Sequence, residues 1–195
     1  MILESIIITI YTIALLLILM YALAQLNLLF NYLSAKRKTD KSVKFDLSNP
    51  DEIPFVTIQL PVYNEMYVMQ RLLDNIAEID YPNDKLEIQV LDDSTDETIE
   101  TTRAQVEVLK ATGLDIKHIT RTNRVGFKAG ALKEGLEIAK GEFIAIFDSD
   151  FLPKKDWLKQ TVPYFKDSEI GVVQTVGGDT SIEITLYLLK YKPLL

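Results

Sequence analysis

The chain has 195 residues, of which 48% are hydrophobic and 25% are charged, and its net charge is -7. It contains no cysteine, which excludes a disulfide framework and a thiolate metal site and fits a reducing compartment. The acidic balance argues against a nucleic-acid-binding protein, because such binding needs clustered lysine and arginine, and any anionic ligand would need a cation at its site.

The first segment, residues 1–35, is predicted to be a transmembrane anchor. Its uncharged run, "SIIITIYTIALLLILMYALAQLNLLFNYL", covers residues 5–33, and a helix of this length is long enough to cross a ~30 Å hydrocarbon core. A cleaved signal peptide is the alternative, with "ALA" at 22–24 as the cleavage site, but Glu4 stands where a positive n-region is expected. A buried core helix fits less well, because soluble helices are seldom apolar all round over this length.

The residues after the anchor predict its orientation. The basic cluster "KRKTDKSVK" begins at Lys36 and lies in a polar juxtamembrane linker, residues 36–53. Positive residues are enriched on the cytoplasmic side of transmembrane helices. We therefore expect a single-pass protein of the cell membrane, with its N-terminus outside and the chain from Lys36 onward in the cytosol.

Residues 54–175 show an alternation of strand and helix patterns. Apolar runs predict five strands, at 55–60, 86–91, 115–120, 143–147 and 170–175. Helical spacing predicts helices between them at 66–79, 96–112 and 128–140, and a broken helix at 156–165. Gly113 and Gly141 are expected to close the second and third helices. The alternation is typical of right-handed crossovers, so we expect an α/β fold with a mostly parallel sheet covered on both faces.

Polar motifs follow each of the first four predicted strands. They are "PVYNE" at 61–65, "DDSTD" at 92–96, "RTNRVGFKAG" at 121–130 and "DSDF" at 148–151. Ligands of an open parallel sheet bind beyond the carboxyl ends of its strands, so we expect these motifs to meet at one edge. Their shared location is a stronger signal than any one motif, because each is short enough to occur by chance.

Asp148 and Asp150 directly follow the buried run "FIAIF", and their spacing places both on one side of the chain. Capping of the next turn is the simpler interpretation, but one carboxylate would suffice for that. Two carboxylates without a nearby histidine or cysteine suit a hard cation, Mg²⁺ or Mn²⁺, whose shell is completed by ligand phosphates. We therefore predict a metal site at Asp148 and Asp150.

The other motifs each have a structural and a ligand-binding interpretation. Ser94 and Glu97 have the spacing of a capping box. Asp92 and Asp93 are not needed for that box, and a carboxylate here could accept a hydrogen bond from a base or a ribose hydroxyl. Lys128 stands in the first turn of a helix that is entered through a glycine-bearing loop, which suits a phosphate grip.

Three more side chains lie in or near these motifs. Arg121 is expected to be a solvated cation of its loop. Tyr63 is either an ordinary turn aromatic or a platform on which a base stacks. His118, the only histidine, lies inside a strand pattern and is given no role.

In order along the chain, "PVYNE", "LDDSTDET", "RVGFKAGALKEGL" and "FIAIFDSDF" resemble the inverting family-2 glycosyltransferases. In particular they resemble the membrane-bound group similar to cellulose synthase and ceramide glucosyltransferase, and the resemblance covers about residues 52–175. It implies a Rossmann-like GT-A fold, a UDP-sugar or GDP-sugar donor, a divalent cation, and a glycan or lipid acceptor.

The resemblance also implies roles for individual residues, carried over by their positions in the motifs. It implies that Tyr63 and Asp93 contact the nucleoside and that Asp92 supports these contacts. It implies that Lys128 contacts the diphosphate. Asp148 and Asp150 would bind the metal, and Asp148 would also contact the nucleotide sugar. The metal would neutralise the diphosphate as it leaves.

One part of the family pattern is missing from this sequence. In that family a catalytic base, usually an aspartate of an E-D pair, and a Q-x-x-R-W motif follow the D-x-D, and no residue here matches the base. The chain is therefore expected to be a membrane-anchored glycosyltransferase that is incomplete, or a non-catalytic fragment that at most binds nucleotide sugar and metal. An aspartyl-nucleophile phosphatase fits less well, because its D-x-D follows the first strand rather than the fourth.

Residues 176–195 depart from the family pattern, which continues with "RWGH" and "NRDYSL" after "GVVQT". Codons for this tail can be read in the frame built from the third base of one codon and the first two bases of the next. In that frame they can encode "RWGHINRDYSLFTKIQAF". Only the first base of each new codon can be chosen with any freedom, because it is the degenerate third base of an original codon. We predict that residues 176–195 are an out-of-frame tail with no strand or helix packed on the core, and that the gene carries this other frame downstream.

Overall fold

The computed structural model describes residues 2–36, 53–176 and 185–190, and the chain divides into two compact units, residues 1–42 and 43–195. Helix α1 (Ile2–Lys36) is the described part of the first unit. It is long and apolar enough to cross a membrane, and none of its most apolar stretch is buried within the protein. The predicted apolar N-terminal helix is therefore confirmed, although a signal sequence would have the same properties. The predicted linker 36–53 lies outside the described residues except at its two ends.

The second unit contains a six-stranded sheet with the strand order β3-β2-β1-β4-β6-β5. The strands are β1 (Val56–Val62), β2 (Leu86–Asp92), β3 (Ile116–Thr120), β4 (Phe143–Ile146), β5 (Val172–Val176) and β6 (Thr185–Lys190). The first four strands are parallel, and β6 pairs antiparallel with both β4 and β5. The predicted α/β class with a mostly parallel sheet is confirmed.

Helices alternate with the parallel strands, as the periodicity predicted. They are α2 (Met66–Ala77), α3 (Thr98–Ala111), α4 (Phe127–Glu137) and α5 (Trp157–Thr161), and 3₁₀ turns occur at Asn83–Lys85 and Val162–Lys166. The last of these turns contains Pro163, which explains the predicted break because proline lacks the N–H that an α-helix requires. Gly113 closes α3 with φ 94°, as expected.

Gly141 does not close α4, which ends at Glu137, so that prediction is wrong. Gly141 instead allows a close approach to the sheet, because a Cβ there would lie 2.4 Å from the backbone nitrogen of Thr57. The Gly141 N–H donates to Thr57 Oγ1 at 2.8 Å. The glycine is therefore needed for packing rather than for helix termination.

The two faces of the sheet differ in polarity. Alternate residues of β1, such as Ile58 and Leu60, are fully buried in the apolar core that includes α2. The opposite face carries buried polar side chains, and Gln59 Nε2 donates to Gln89 Oε1 at 3.0 Å. Helix α4 lies close to this polar face at Gly135, where a Cβ would lie 2.7 Å from Gln59 Nε2. This close packing fixes the position of α4, and with it Lys128, relative to the strand ends.

Strand β6 contradicts the prediction that the tail forms no strand packed on the core. It lies between β4 and β5 and pairs with both through backbone atoms. Ladder hydrogen bonds use main-chain groups that any sequence supplies, and "TLYLLK" has residues that favour strands. Residues 177–184 and 191–195 of the predicted tail lie outside the described residues.

Candidate functional site

A cavity of about 380 Å³ lies at the edge where β1, β2 and β4 end. Five of the residues that the sequence singled out line it, namely Tyr63, Asp93, Lys128, Asp148 and Asp150. The predicted meeting of these side chains at the carboxyl edge of the sheet is therefore confirmed. It follows from the parallel strands, whose carboxyl ends all point the same way.

Asn64 ties the loop after β1 to the loop after β2. Its backbone adopts a left-handed conformation with φ 54°, which asparagine tolerates better than most residues. Its N–H donates to Ser94 Oγ at 2.9 Å, and its Oδ1 accepts the N–H of Thr95 at 2.9 Å. These bonds hold Tyr63, the neighbour of Asn64, beside the end of β2.

The predicted capping box of Ser94 and Glu97 is not formed. Glu97 makes no side-chain cap at the start of α3, and the Thr98 N–H instead donates to Asp96 Oδ1 at 3.0 Å. The Ser94 hydroxyl is engaged with Asn64, because the strand order places the β1 loop next to it. Its role is to join two loops of the cavity edge.

Asp92 is enclosed behind the cavity and does not line it. Its carboxylate is fully buried and lies 2.8 Å from His118 Nε2 and 2.9 Å from the Ser94 backbone nitrogen. Because an ionised carboxylate only accepts hydrogen bonds, the His118 Nε2 carries a proton. Burial raises the pKa of Asp92, but the hydrogen bonds from His118 and Ser94 outweigh it, and the net pKa is lowered. The geometry gives Asp92 a supporting position, and it gives His118 a partner that the sequence interpretation missed.

Asp93 forms a two-point ion pair with Arg121. Arg121 Nε donates to Asp93 Oδ1 at 2.7 Å and Nη2 donates to Oδ2, and both side chains are about 5% exposed. The hydrogen bond to Asp93 raises the pKa of Arg121 above its usual value. The prediction that Arg121 is a solvated cation is therefore wrong. The register of β2 with β3 explains the ion pair. Asp92 lies opposite Thr120, so the residues that follow them, Asp93 and Arg121, also lie side by side.

Arg121 also holds the loop that leads into α4. Its guanidinium donates to the carbonyl oxygens of Val125 at 3.2 Å and Phe127 at 3.1 Å. Gly130 allows this arrangement, because a Cβ there would lie 2.0 Å from the Val125 oxygen and 2.8 Å from Arg121 Nη1. The loop and the first turn of α4 are thus fixed to Asp93 through one arginine.

Arg124 covers the face of Tyr63. Its Cζ lies 3.2 Å from the centroid of the Tyr63 ring and 5.2 Å from the centroid of Phe127, and its Nε lies 4.0 Å from Asp93 Oδ2. A guanidinium over an aromatic face is attracted by the negative centre of the ring. The side chain lines the cavity, and its role was not predicted from the sequence.

The D-x-D turn is anchored by aromatic side chains. Phe147 is fully buried, and its ring centroid lies 6.1 Å from that of Phe151 and 5.0 Å from that of Trp157. The Phe151 N–H donates to the Asp148 carbonyl at 3.0 Å and closes the turn. The apolar residues on either side of the motif therefore fix its backbone, and the carboxylates face the cavity.

Lys128 and Asp148 form an ion pair across the cavity, and both side chains are about half exposed. Asp150 is exposed and has no ion-pair partner among the described residues. The described residues contain no cluster of three or more acidic, histidine or cysteine side chains that could hold a metal. Two carboxylate side chains alone suit a hard cation that takes its remaining ligands from water and phosphate oxygens.

Known proteins resemble this chain in sequence and in fold. The pattern of Glycosyl transferase family 2 matches residues 57–192. Probable glucomannan 4-beta-mannosyltransferase 7 of Oryza sativa subsp. japonica is 45% identical over 128 residues, which cover 63% of this chain and 22% of that protein. A mannosyltransferase from Pyrobaculum calidifontis, solved in complex with GDP-Man and Mn²⁺, is 39% identical with a TM-score of 0.63, over 76% of this chain and 42% of that chain. S. aureus TarS in complex with UDP is 26% identical with a TM-score of 0.52, over 60% of this chain and 34% of that chain.

These matches agree with the resemblance that the four motifs carry. The family match runs to residue 192 and so includes part of the tail whose reading frame is in question, and the out-of-frame origin of that tail stays a prediction. The chain spans less than a third of the length of the rice protein. The sheet of this chain has the GT-A type of fold, as has the similar solved structure from Pyrobaculum calidifontis. Because the family pattern covers more than half of its residues, the chain belongs to glycosyl transferase family 2.

Proposed function

We propose that this chain is the donor-binding part of a mannosyltransferase that takes GDP-mannose, with a divalent cation, and elongates a glycan. The observation that carries the proposal is the single cavity lined by Tyr63, Asp93, Lys128, Asp148 and Asp150. An aromatic platform, an acceptor for a base, a phosphate cation and a pair of metal-binding carboxylates are the groups that a nucleotide sugar requires. The mannosyltransferase names of the similar proteins support the choice of sugar.

Asp93 favours guanine over uracil on chemical grounds. Its carboxylate is paired with Arg121 and therefore stays an acceptor, and each oxygen keeps a further lone pair. The guanine edge presents two adjacent donors, N1–H and the 2-amino group, whereas the uracil edge presents one, N3–H. Because Arg121 occupies the fork between the two oxygens, one oxygen is left to face the cavity. That oxygen can accept from both adjacent donors of guanine but from only the one N3–H of uracil. The higher identity to the protein solved with GDP-Man than to the one solved with UDP points the same way.

Lys128, Asp148 and Asp150 are proposed to bind the diphosphate end of the donor. Asp148 and Asp150 would hold Mg²⁺ or Mn²⁺, which when bound neutralises the charge of the leaving diphosphate. Lys128 contributes a second positive charge from the first turn of α4. Because Lys128 and Asp148 are paired in this structure, a diphosphate that engages Lys128 frees Asp148 for the cation. Cation and diphosphate are therefore expected to bind together.

Sugar transfer also requires a general base, which the family pattern places after the D-x-D motif. No residue here matches the base that would deprotonate the acceptor hydroxyl, and the loss of a general base costs roughly 10²–10⁴ in rate. The alternative is a fragment that binds nucleotide sugar and metal without transferring the sugar. A glycan is proposed as the acceptor rather than a lipid, because the name of the rice relative contains glucomannan.

Helix α1 is proposed to anchor the domain in the cell membrane, with its N-terminus outside and the α/β domain in the cytosol. Its length and composition support a span, and the basic cluster that follows supports the orientation. The native chain has no cysteine, so single cysteines at Glu4, just before the uncharged run, and at Thr101 would report the orientation. On intact cells an impermeant maleimide should label Glu4→Cys and leave Thr101→Cys unlabelled, and the reverse pattern would contradict the proposal.

The proposed donor is tested by comparing three diphosphates in calorimetric titrations of the full chain with Mn²⁺. GDP should bind more tightly than inosine diphosphate, which lacks only the 2-amino group, by about tenfold, the scale of one bond of a two-point contact. Inosine diphosphate and UDP each offer one ring N–H, so GDP should exceed UDP as well. Equal affinity for GDP and inosine diphosphate would exclude two-point recognition by Asp93, and tighter binding of UDP would overturn the choice of donor.

A further inference from the structure

The guanidinium of Arg124 occupies the place where a nucleobase would be expected. It lies on the Tyr63 ring at 3.2 Å, it faces Asp93 at 4.0 Å, and it lines the same cavity. Its Nε is buried and has no hydrogen-bond partner within the described residues. A buried donor of a cation without a partner is unusual, because leaving such a group unsatisfied is costly.

Guanine and the arginine head group share chemistry as well as position. Both are planar, both stack on aromatic rings, and the guanine edge contains the same carbon with its attached N–H and amino donors. A base that stacked on Tyr63 and donated to Asp93 would therefore use the two partners that Arg124 contacts. One face of one ring cannot hold both groups at once.

We propose that Arg124 is an internal substitute for the nucleobase, which stacks on Tyr63 and must be displaced from it before the base of the donor can bind. This inference rests on the proposed function, since it assumes that the platform receives a guanine base. The consequence is that Arg124 lowers the affinity of the protein for the base itself. Arg124 also adds specificity. Only a base that contacts both Tyr63 and Asp93 can compete well with the Arg124 side chain.

The displacement moves the side chain of Arg124 and leaves the loop backbone in place. Arg121 fixes the backbone on both sides of Gly126, through the carbonyl oxygens of Val125 and Phe127. The Arg124 side chain is about a third exposed, and Asp93, the acidic side chain that it faces among the described residues, is already paired with Arg121. It can therefore swing toward the diphosphate without breaking a buried ion pair.

The test is the affinity for guanosine, which has the base but no phosphate, measured by calorimetry on the full chain in detergent. Arg124→Ala should bind guanosine about 2- to 10-fold more tightly than the native chain, which corresponds to the loss of one cation–π contact. Arg124→Lys keeps the charge but stacks less well, so it should bind with intermediate affinity. Arg103→Ala, which removes an exposed arginine on α3, is the matched control and should change nothing.

The outcomes separate this inference from the proposed function. If the native chain binds GDP with Mn²⁺ but Arg124→Ala binds guanosine with equal or lower affinity, Arg124 is not a substitute for the base, and weaker binding would mean that it stacks on the base instead. If the native chain binds neither GDP nor guanosine, the proposed function fails, and this inference fails with it. Unchanged thermal unfolding of Arg124→Ala shows that the fold is kept, as the partly exposed position of the side chain leads us to expect.

Discussion

Asp150→Asn is expected to make the affinity of the chain for GDP the same with Mn²⁺ as with EDTA. The substitution keeps the size of the side chain and removes one of the two carboxylates on which the cation depends. A divalent cation between carboxylates and phosphates contributes through charge-assisted contacts, each worth about 1.5–3 kcal/mol, so the native chain should lose at least about tenfold in affinity when EDTA is added. The variant should show the weaker value under both conditions.

The matched control for this change is Asp84→Asn, which removes the same charge from an exposed 3₁₀ turn outside the cavity. It should keep the full response to Mn²⁺, because a uniform change in net charge acts weakly at long range in salt. A metal response that survives Asp150→Asn would remove Asp150 from the metal site. A response lost equally in Asp84→Asn would show that net charge, and not a built site, governs binding.

Gly130→Ala is expected to displace the loop between β3 and α4 and to destabilise the protein. Alanine is favoured over glycine inside a helix by about 1 kcal/mol, so propensity alone predicts a gain. The new Cβ would lie 2.0 Å from the Val125 carbonyl oxygen, a backbone atom that no rotamer change can move. Overpacking of this kind costs roughly 1–3 kcal/mol or more, which exceeds the gain. We expect a lower melting temperature and a loss of GDP affinity.

Gly171→Ala is the matched control, because nothing lies within 4 Å of the Cβ that it would add. It should leave both the melting temperature and the affinity for GDP close to the native values. Differential scanning calorimetry and GDP titration of the two variants give the comparison. A Gly130→Ala protein as stable as the native chain, with unchanged GDP affinity, would show that the loop is not held against α4 as described.

Periodicity and topology made the sheet and the location of the site predictable. The apolar run at 143–147 is β4 with one residue more, and the acidic motif after it faces the cavity as expected. Such features depend on local patterns and on one rule, namely that parallel strands end at one edge. For the same reason Tyr63 and Asp93, which are 30 positions apart, could be assigned to one site before any contact was known.

Side-chain partners were less predictable, because they depend on register rather than on pattern. The loop sequence predicts a solvated Arg121, and only the register of β2 with β3 reveals that Arg121 faces Asp93. The same pairing of β2 with β3 brings His118 within 2.8 Å of Asp92. Strand β6 was not predictable from the reading frame for another reason, because backbone pairing does not need a selected sequence.

The most direct test of the central claim is a crystal structure of the chain with GDP and MnCl₂, with the cation located by its anomalous scattering. The account predicts one Mn²⁺ within coordination distance of the Asp148 or Asp150 carboxylates and the diphosphate, with the guanine against Tyr63 and Asp93 and with Arg124 moved off the ring. A nucleotide bound elsewhere on the domain, or a cation with no contact to either aspartate, would contradict it.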